Sequence, residues 1–465
     1  MALETYEAAL DYLFAATDYE KMQRVRYNAD TFSLDRMRRL LAAIGSPERR
    51  LRSVHVAGTK GKGSTAAVVH AMAVAAGLKA GLYTSPHLVD LRERIRVGRA
   101  EVPSEALRQL IAAARPEVDR MRQADDAPTF FEIFTALALR HFADAAVDLA
   151  VIEVGLGGRL DATNVLEPDV SVITALSMDH TLQLGATLAA IAGEKAGIIK
   201  PGVPVVSHLQ PPEAMAVVER VAREAGAPLF VVSVGRGAPR LFGSNDDGIS
   251  RGTPRPTRGD ITYSWQPAEQ GGRRGGRITV RTPNAAYEDL FLPLMGEHQA
   301  SNAAGAIAAA ELAGPLGPRL TPDLVREALA GVEWPGRMEY VPGRPAILLD
   351  GAHNRASMER LLEALARHFP GTRMVILFAA AADKDIDGML DALAAGAIPA
   401  EIIFTRTATA RAADPLDLQA RFRARGREAE AAAPANIALR LARKLAGEEG
   451  LVVVCGSLYL VGEIK

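Results

Sequence analysis

His55-Val56-Ala57-Gly58-Thr59-Lys60-Gly61-Lys62-Gly63-Ser64-Thr65 is the stretch from which the rest of this chain is read. Residues 53–56 alternate as a strand does, and residues 66–76 read as a helix. Glycines at 58, 61 and 63 let backbone N–H groups close around a phosphate, and the helix that follows points its positive end at the same anion. Lys62 has the reach to hold a terminal phosphate, and Ser64 or Thr65 offers a hydroxyl for Mg²⁺. The expected nucleotide contacts are therefore Gly58, Thr59, Lys60, Gly61, Lys62, Gly63, Ser64 and Thr65. The loop departs from the common P-loop spacing, with only Thr59 and Lys60 between its first two glycines and Gly63 between Lys62 and Ser64. A plain glycine turn would share this composition; the strand before and the helix after favour the phosphate site.

The bulk composition narrows the class. A chain of 465 residues predicts two or three domains. Charged residues at 23% and hydrophobic ones at 48% are ordinary for a soluble globular protein. A formal net charge of −1 gives no global attraction to nucleic acid or to an anionic membrane. The single cysteine, Cys455, sits in an apolar run and reads as a buried, inert thiol. Residues 1–13 carry acids and no base, unlike a secretory signal. No window holds the roughly 18 apolar residues of a membrane span. The expected location is the cytoplasm.

Strand-like and helix-like segments alternate through most of the chain. Residues 53–57, 80–83, 149–154, 170–176 and 203–208 read as buried strands, with helices at 104–122 and 130–142 among those between them. Residues 236–281 are rich in Gly, Arg, Pro and Asp, and read as loops around a small antiparallel addition at 261–265 and 278–282. A second α/β series begins near Pro342, with strands at 346–349, 374–378, 401–405 and 451–455 and helices at 355–368, 416–425 and 435–446. Trp334-Pro335-Gly336-Arg337 reads as the hinge between the series. The expected fold is α/β: a P-loop-type, mostly parallel sheet with a small antiparallel addition, followed by a Rossmann-like α/β domain, divided as 1–335 and 336–465.

Ligands of open parallel sheets lie at the carboxyl ends of strands. Thr84 and Ser85, Glu153, Asp179 and His180, and Asp350 and His353 all fall at such ends. Together with the glycine loop they form a pattern seen in a known family. The blocks are Tyr83-Thr84-Ser85-Pro86-His87-Leu88, Glu153-Val154-Gly155-Leu156-Gly157-Gly158-Arg159-Leu160-Asp161-Ala162-Thr163-Asn164 and Glu194-Lys195-Ala196-Gly197-Ile198-Ile199-Lys200. Gly296-Glu297-His298-Gln299 leading to Asn302, Asp350-Gly351-Ala352-His353-Asn354 and Gly456-Ser457-Leu458-Tyr459 extend it. On these residues the chain resembles the folylpolyglutamate synthases, often bifunctional with dihydrofolate synthase in bacteria, within the Mur ligase superfamily. The short glycine loop is typical of that superfamily.

The resemblance implies an ATP-dependent carboxylate–amine ligase. ATP would phosphorylate a carboxylate, and the amine of L-glutamate would displace phosphate from the acyl phosphate. The carboxylate would belong to a reduced folate or to dihydropteroate. The first domain would bind ATP and folate, and the second would carry the glutamate-ligase function. Lys62 would steady the γ-phosphoryl group. Ser85 and Glu153, with Ser64, would hold a first Mg²⁺, and His180 a second. Lys195 matches a lysine carbamylated in the family, which would turn it into an anion able to serve the second metal. Asn302, Arg337 and Asp350 would contact ATP. Phe131, Asp161 and Ala162 match pterin positions, although Phe131 also suits a core. His353 and Ser457 match glutamate positions, or shape turns at strand ends. The implied partners are small molecules only, and the implied state is a monomer.

Two features depart from the family pattern: Lys60 stands where asparagine is common, and Ala379-Ala380-Ala381-Ala382 replaces a more polar loop. A peptidoglycan Mur ligase is the nearest rival, but only about fifty residues precede the glycine loop, too few for a separate sugar-nucleotide domain. A catalytically silent nucleotide-binding protein is the non-enzymatic rival; it would not need Glu153, His180 and Lys195 together. Whether both ligations occur stays open.

Overall fold

Short runs of Val, Ile and Leu bounded by turns become the strands of two sheets. The computed structural model describes residues 3–19, 27–28, 31–235, 260–396, 398–409 and 411–465. The first sheet comprises β1 (Ser53–Ala57), β2 (Ala80–Tyr83), β3 (Ile95–Val97), β4 (Ala100–Glu101), β5 (Leu149–Glu153), β6 (Val170–Ile173), β7 (Val205–His208), β8 (Leu229–Val234), β9 (Asp260–Gln270), β10 (Arg273–Arg281) and β11 (Ala286–Leu292). The second comprises β12 (Glu339–Val341), β13 (Ala346–Leu349), β14 (Met374–Phe378), β15 (Ala400–Phe404), β16 (Glu430–Ala431) and β17 (Leu451–Cys455). Their orders are β11-β10-β9-β8-β7-β6-β1-β5-β2-β3-β4 and β12-β13-β17-β14-β15-β16. The central strands of both sheets are parallel, and the strands of the first sheet's two ends and β12 are antiparallel.

Alternation along the strands divides the core. Leu149 and Val151 of β5 pack with the helices Lys62–Ala75 and Glu297–Leu312, while Ala150 and Ile152 pack with Phe130–Asp144 on the other face. Helix Glu297–Leu312 is buried on nearly every side, and its run of alanines and Gly305 lets it lie between sheet and neighbouring helix. In the second sheet Ala346 and Leu348 face one cluster, and Ile347 and Leu349 the other.

Several strands keep the expected bounds, including β2, β13, β14 and β17. The strand expected over 170–176 stops at Ile173, because the Ala175 carbonyl turns to accept the N–H groups of Thr59 and Lys60, each at 3.1 Å. The helix after the glycine loop starts at Lys62 and not at residue 66. The largest correction concerns residues 266–277, read as loop but forming the long ladder of β9 and β10. Glycine, arginine and proline are poor strand formers on their own; pairing along the whole hairpin overrides them. The loop expectation for residues 236–259 lies outside the described residues.

Candidate active site

The glycine loop is shaped by neighbours from distant parts of the chain. Gly61 has φ +91°, and a Cβ there would sit 2.3 Å from Asn302 Oδ1. A Cβ on Gly63 would lie 2.6 Å from the Trp334 ring and 3.4 Å from Glu153 Oε2. The loop is thus pressed against helix Glu297–Leu312 on one side and the hinge on another, with helix Lys62–Ala75 starting from it. The first amides of that helix have no acceptor within the helix.

Adjacent strand ends bring the carboxylate and its partners to the loop. Glu153, at the end of β5, is 4% exposed. Its Oε2 accepts the Ser85 N–H at 3.1 Å, and its Oε1 lies 3.9 Å from Lys62 Nζ. Burial raises the Glu153 carboxyl above its ordinary value, and Lys62 and the Ser85 amide oppose that rise. Ser64 is buried, and Thr65 is wholly enclosed.

Lys195 reaches the same loop from below. Its Nζ donates to the Gly58 carbonyl at 2.9 Å, and only 4% of the residue is exposed. Burial and then Lys62 push its ammonium down to about 7, against the pull of Asp179 and Asp161. The glycine-rich loop after β5 packs on the helix carrying Lys195: a Cβ on Gly158 would stand 2.7 Å from the Glu194 carbonyl, which accepts the Arg159 N–H at 2.7 Å. That contact explains why the two blocks are so particular in sequence. His180 takes a left-handed backbone (φ +49°), leaves 49% of its side chain exposed and holds Nε2 4.0 Å from Asp179 Oδ1. Its surroundings, then Lys195, Lys384 and Lys62, lower its pKa, against the pull of Asp179.

Two acids are already engaged. Asp161 is 3% exposed; its Oδ2 accepts the Leu156 N–H at 2.8 Å, and its Oδ1 accepts the Thr163 N–H at 3.0 Å and the Thr163 hydroxyl at 2.5 Å. That hydroxyl lies 2.8 Å from His55 Nε2 on β1. Asp161, at one of the expected pterin positions, therefore shapes the loop in which it lies. Asp350 likewise accepts Met338 N–H at 2.9 Å and Ala352 N–H at 2.8 Å, which ties the hinge to β13. Both carboxyls are raised by burial. Phe131, half-buried, presses its ring under Gly155, where a Cβ would meet it at 2.4 Å; Ala162 is buried beside Asp161. In the second half, His353 Nδ1 lies 2.8 Å from the Gly351 carbonyl, so the ring donates there. Ser457 Oγ accepts the Tyr459 N–H at 3.2 Å and caps the last helix.

Beside the loop lies a cavity of about 210 Å³ lined by Lys60, Gly61, Tyr263, His298, Asn302 and Arg360 among others. Burial pushes His298 down to about 3, so it is neutral at physiological pH. Lys60 Nζ crosses to the second half and donates to Asn354 Oδ1 at 3.0 Å; burial and then Arg360 lower it to about 8. Trp334, Asn354, Tyr263 and Arg360 were not visible as site residues in the sequence. No local signal marks Tyr263 or Arg360, while Trp334 lay in the hinge motif and Asn354 in the block from Asp350 to Asn354; each becomes relevant through a partner distant in the sequence. His298 had a signal, its place in the Gly296–Gln299 block.

Among the described residues no group of three or more His, Cys, Asp or Glu side chains is placed to hold a metal alone. The donors present still fit Mg²⁺, which takes one or two carboxylates and completes its shell with phosphate oxygens and water. Glu153 is the telling feature: a buried carboxylate whose partners are the Ser85 amide and an ammonium 3.9 Å away. No described helix is long and apolar enough to cross a membrane.

Comparison with known proteins agrees with this geometry. The Mur ligase middle domain matches residues 56–202, and the Mur ligase glutamate ligase domain matches residues 336–458. The dihydrofolate synthase/folylpolyglutamate synthase of Bacillus subtilis (strain 168) is 34% identical over 435 residues, covering 93% of this chain and 94% of that protein. The folylpolyglutamate synthase of Mycobacterium tuberculosis complexed with ADP superposes with a TM-score of 0.82 at 32% identity, covering 99% of this chain and 98% of that one. A solved complex of FPGS with AMPPCP and folate gives a TM-score of 0.78 at 31% identity, with coverage of 99% and 98%.

Proposed function

The chain belongs to the folylpolyglutamate synthase/dihydrofolate synthase family of Mur ligases, and from that premise we propose how its residues divide the work of an ATP-dependent ligase that adds L-glutamate to a folate. The reaction runs in two steps. A folate carboxylate oxygen attacks the γ-phosphorus of ATP, giving an acyl phosphate and ADP. The glutamate amine then adds to the acyl carbon, and the tetrahedral intermediate collapses with loss of phosphate and of the amine proton. No protein nucleophile is needed, so positioning and charge neutralisation carry the catalysis.

Residues 1–335 serve ATP and the folate, and 336–465 serve glutamate. Lys62 and the amides at the start of its helix neutralise charge on the β- and γ-phosphates. Asn302, with the cavity beside the loop, takes the base, and Arg337 approaches the phosphates from the hinge. Phe131 offers an aromatic face to the pterin, while Asp161 and Ala162 hold the loop that borders it. His353 and Ser457 border the space for the incoming amino acid, and Asp350 holds that turn against the hinge. Glu153, Ser85 and Ser64 would hold one Mg²⁺, and His180 with carbamylated Lys195 a second; the ions would supply positive charge at the transferring phosphoryl group. A lysine lowered to about 7 has at neutral pH the uncharged amine that adds CO₂. The same reading makes the protein a cytoplasmic monomer.

The buried Glu153 carboxylate between Lys62 and the Ser85 amide supports this reading most. The test is ADP release by the purified protein with Mg²⁺ and L-glutamate, run in parallel with tetrahydrofolate and with dihydropteroate. Turnover with both acceptors marks a bifunctional enzyme, and turnover with one assigns it. No glutamate-dependent ADP with either would refute the reading.

A further inference from the structure

The tip of the β9–β10 hairpin grips both sides of the hinge. Consecutive residues of a strand point to opposite faces, and Arg273 and Arg274 at its tip do so. Arg273 donates to the carbonyls of Ala330 at 2.8 Å and Val332 at 3.1 Å, where helix Pro322–Ala330 ends just before the hinge. Arg274 donates to the carbonyl of His368 at 2.6 Å, the last residue of helix Arg355–His368 in the second half. Its guanidinium carbon also lies 4.4 Å from the centre of the Phe369 ring and 5.7 Å from that of Tyr340. Each arginine thus meets a helix carboxyl end, where carbonyls lack partners and positive charge is favoured.

Further contacts fasten the same corner. The Trp265 and His368 rings meet edge to face at 6.0 Å, and Arg367 lies over Trp265 at 5.9 Å. Arg367 also pairs with Glu297 at 3.6 Å, at the start of the helix that carries Asn302. Gly276 is what lets Trp265 lie flat across β10, since a Cβ there would stand 2.0 Å from the indole nitrogen.

Helix Arg355–His368 joins this corner to the active site. Its 14 residues span about 21 Å at 1.5 Å per residue. Its front cap, Asn354, takes the hydrogen bond from Lys60 of the glycine loop, and its rear carbonyl takes the one from Arg274. The first-sheet half therefore holds both ends of one rigid rod of the other half. We propose that the β9–β10 hairpin is a rear brace that sets the angle of the second half, and that Arg274 is a positioning residue for the ligation although it lies outside the active site.

The kinetic part of this rests on the function proposed above; the structural part does not. The test uses the full chain with spin labels on Glu213→Cys and Glu428→Cys, both exposed, while native Cys455 is buried. Distances between the labels are measured by pulsed EPR with AMPPCP, in the parent and in Arg274→Ala and Arg274→Lys. The parent should give one narrow distribution and Arg274→Ala a broad or split one. Arg274→Lys should fall between, because an ammonium keeps the charge but not the planar fork and its stacking. In turnover, kcat should fall about tenfold or more in Arg274→Ala, as a small misplacement of reacting groups does, with KM for ATP within a few-fold of the parent. An unchanged distribution overturns the brace whatever the kinetics. A kcat loss that only tracks a smaller folded fraction overturns the positioning role. A parent that turns over no folate refutes the functional reading and leaves the distance result to decide the brace.

Discussion

Lys195 shows how one side chain joins burial to chemistry. Its ammonium is pushed down because the surrounding apolar packing and Lys62 both disfavour a second positive charge near Gly58. The sign follows directly: above about 7 the amine is mostly neutral and nucleophilic toward CO₂, and below it the amine is protonated and inert. Activity should therefore fall in CO₂-free buffer and return with bicarbonate, and the gain should be larger at pH 8 than at pH 6.5. Equal activity with and without bicarbonate at both pH values would remove the carbamate from the account. The residue types of the site were legible in the sequence, but their engagements were not. Asp161 and Asp350 were legible as acids of the site, and the structure adds that each holds backbone amides of its own turn or of the hinge. A carboxylate's partners depend on how the loop closes, which no local pattern encodes.

At the scale of elements, the glycine loop is held in shape by contacts that leave no room for a methyl group. Gly61→Ala would impose a left-handed backbone on alanine, at about 1–2 kcal/mol, and would also drive its Cβ into Asn302. We expect ATP affinity to drop at least tenfold while the melting temperature falls by only a few degrees, as read by calorimetric titration and thermal unfolding. An unchanged affinity would show that the loop has another conformation when nucleotide is bound. Helices and central strands were largely legible, because their periodicity is set by neighbours a few residues away. The middle of the β9–β10 hairpin, residues 266–277, was not. Its glycines, arginines and proline have low strand propensity, and the hairpin's length comes from pairing between the two strands and with β8 and β11.

Across the whole molecule, the two halves meet at the loop, the hinge and the brace. Lys60 to Asn354 is the front tie and Arg274 to His368 the rear one, with Trp334 over Gly63 between them. If nucleotide bound at the loop tightens all three, AMPPCP should slow amide exchange in β13 as well as in β1. Protection confined to β1 and the glycine loop would mean that the halves are not coupled by nucleotide. The sequence by itself determined the element types, the phosphate loop and the chemical groups offered at strand ends, because these depend on short-range periodicity and residue identity. Only the tertiary structure decided the strand order β6-β1-β5-β2, which carries Ala175, the glycine loop, Glu153 and Ser85 to one edge. It alone decided which acids are engaged and which residues tie the halves together. Those outcomes rest on contacts between residues tens to hundreds of positions apart, whose energies come from mutual burial and hydrogen bonding that exist only once the chain has folded.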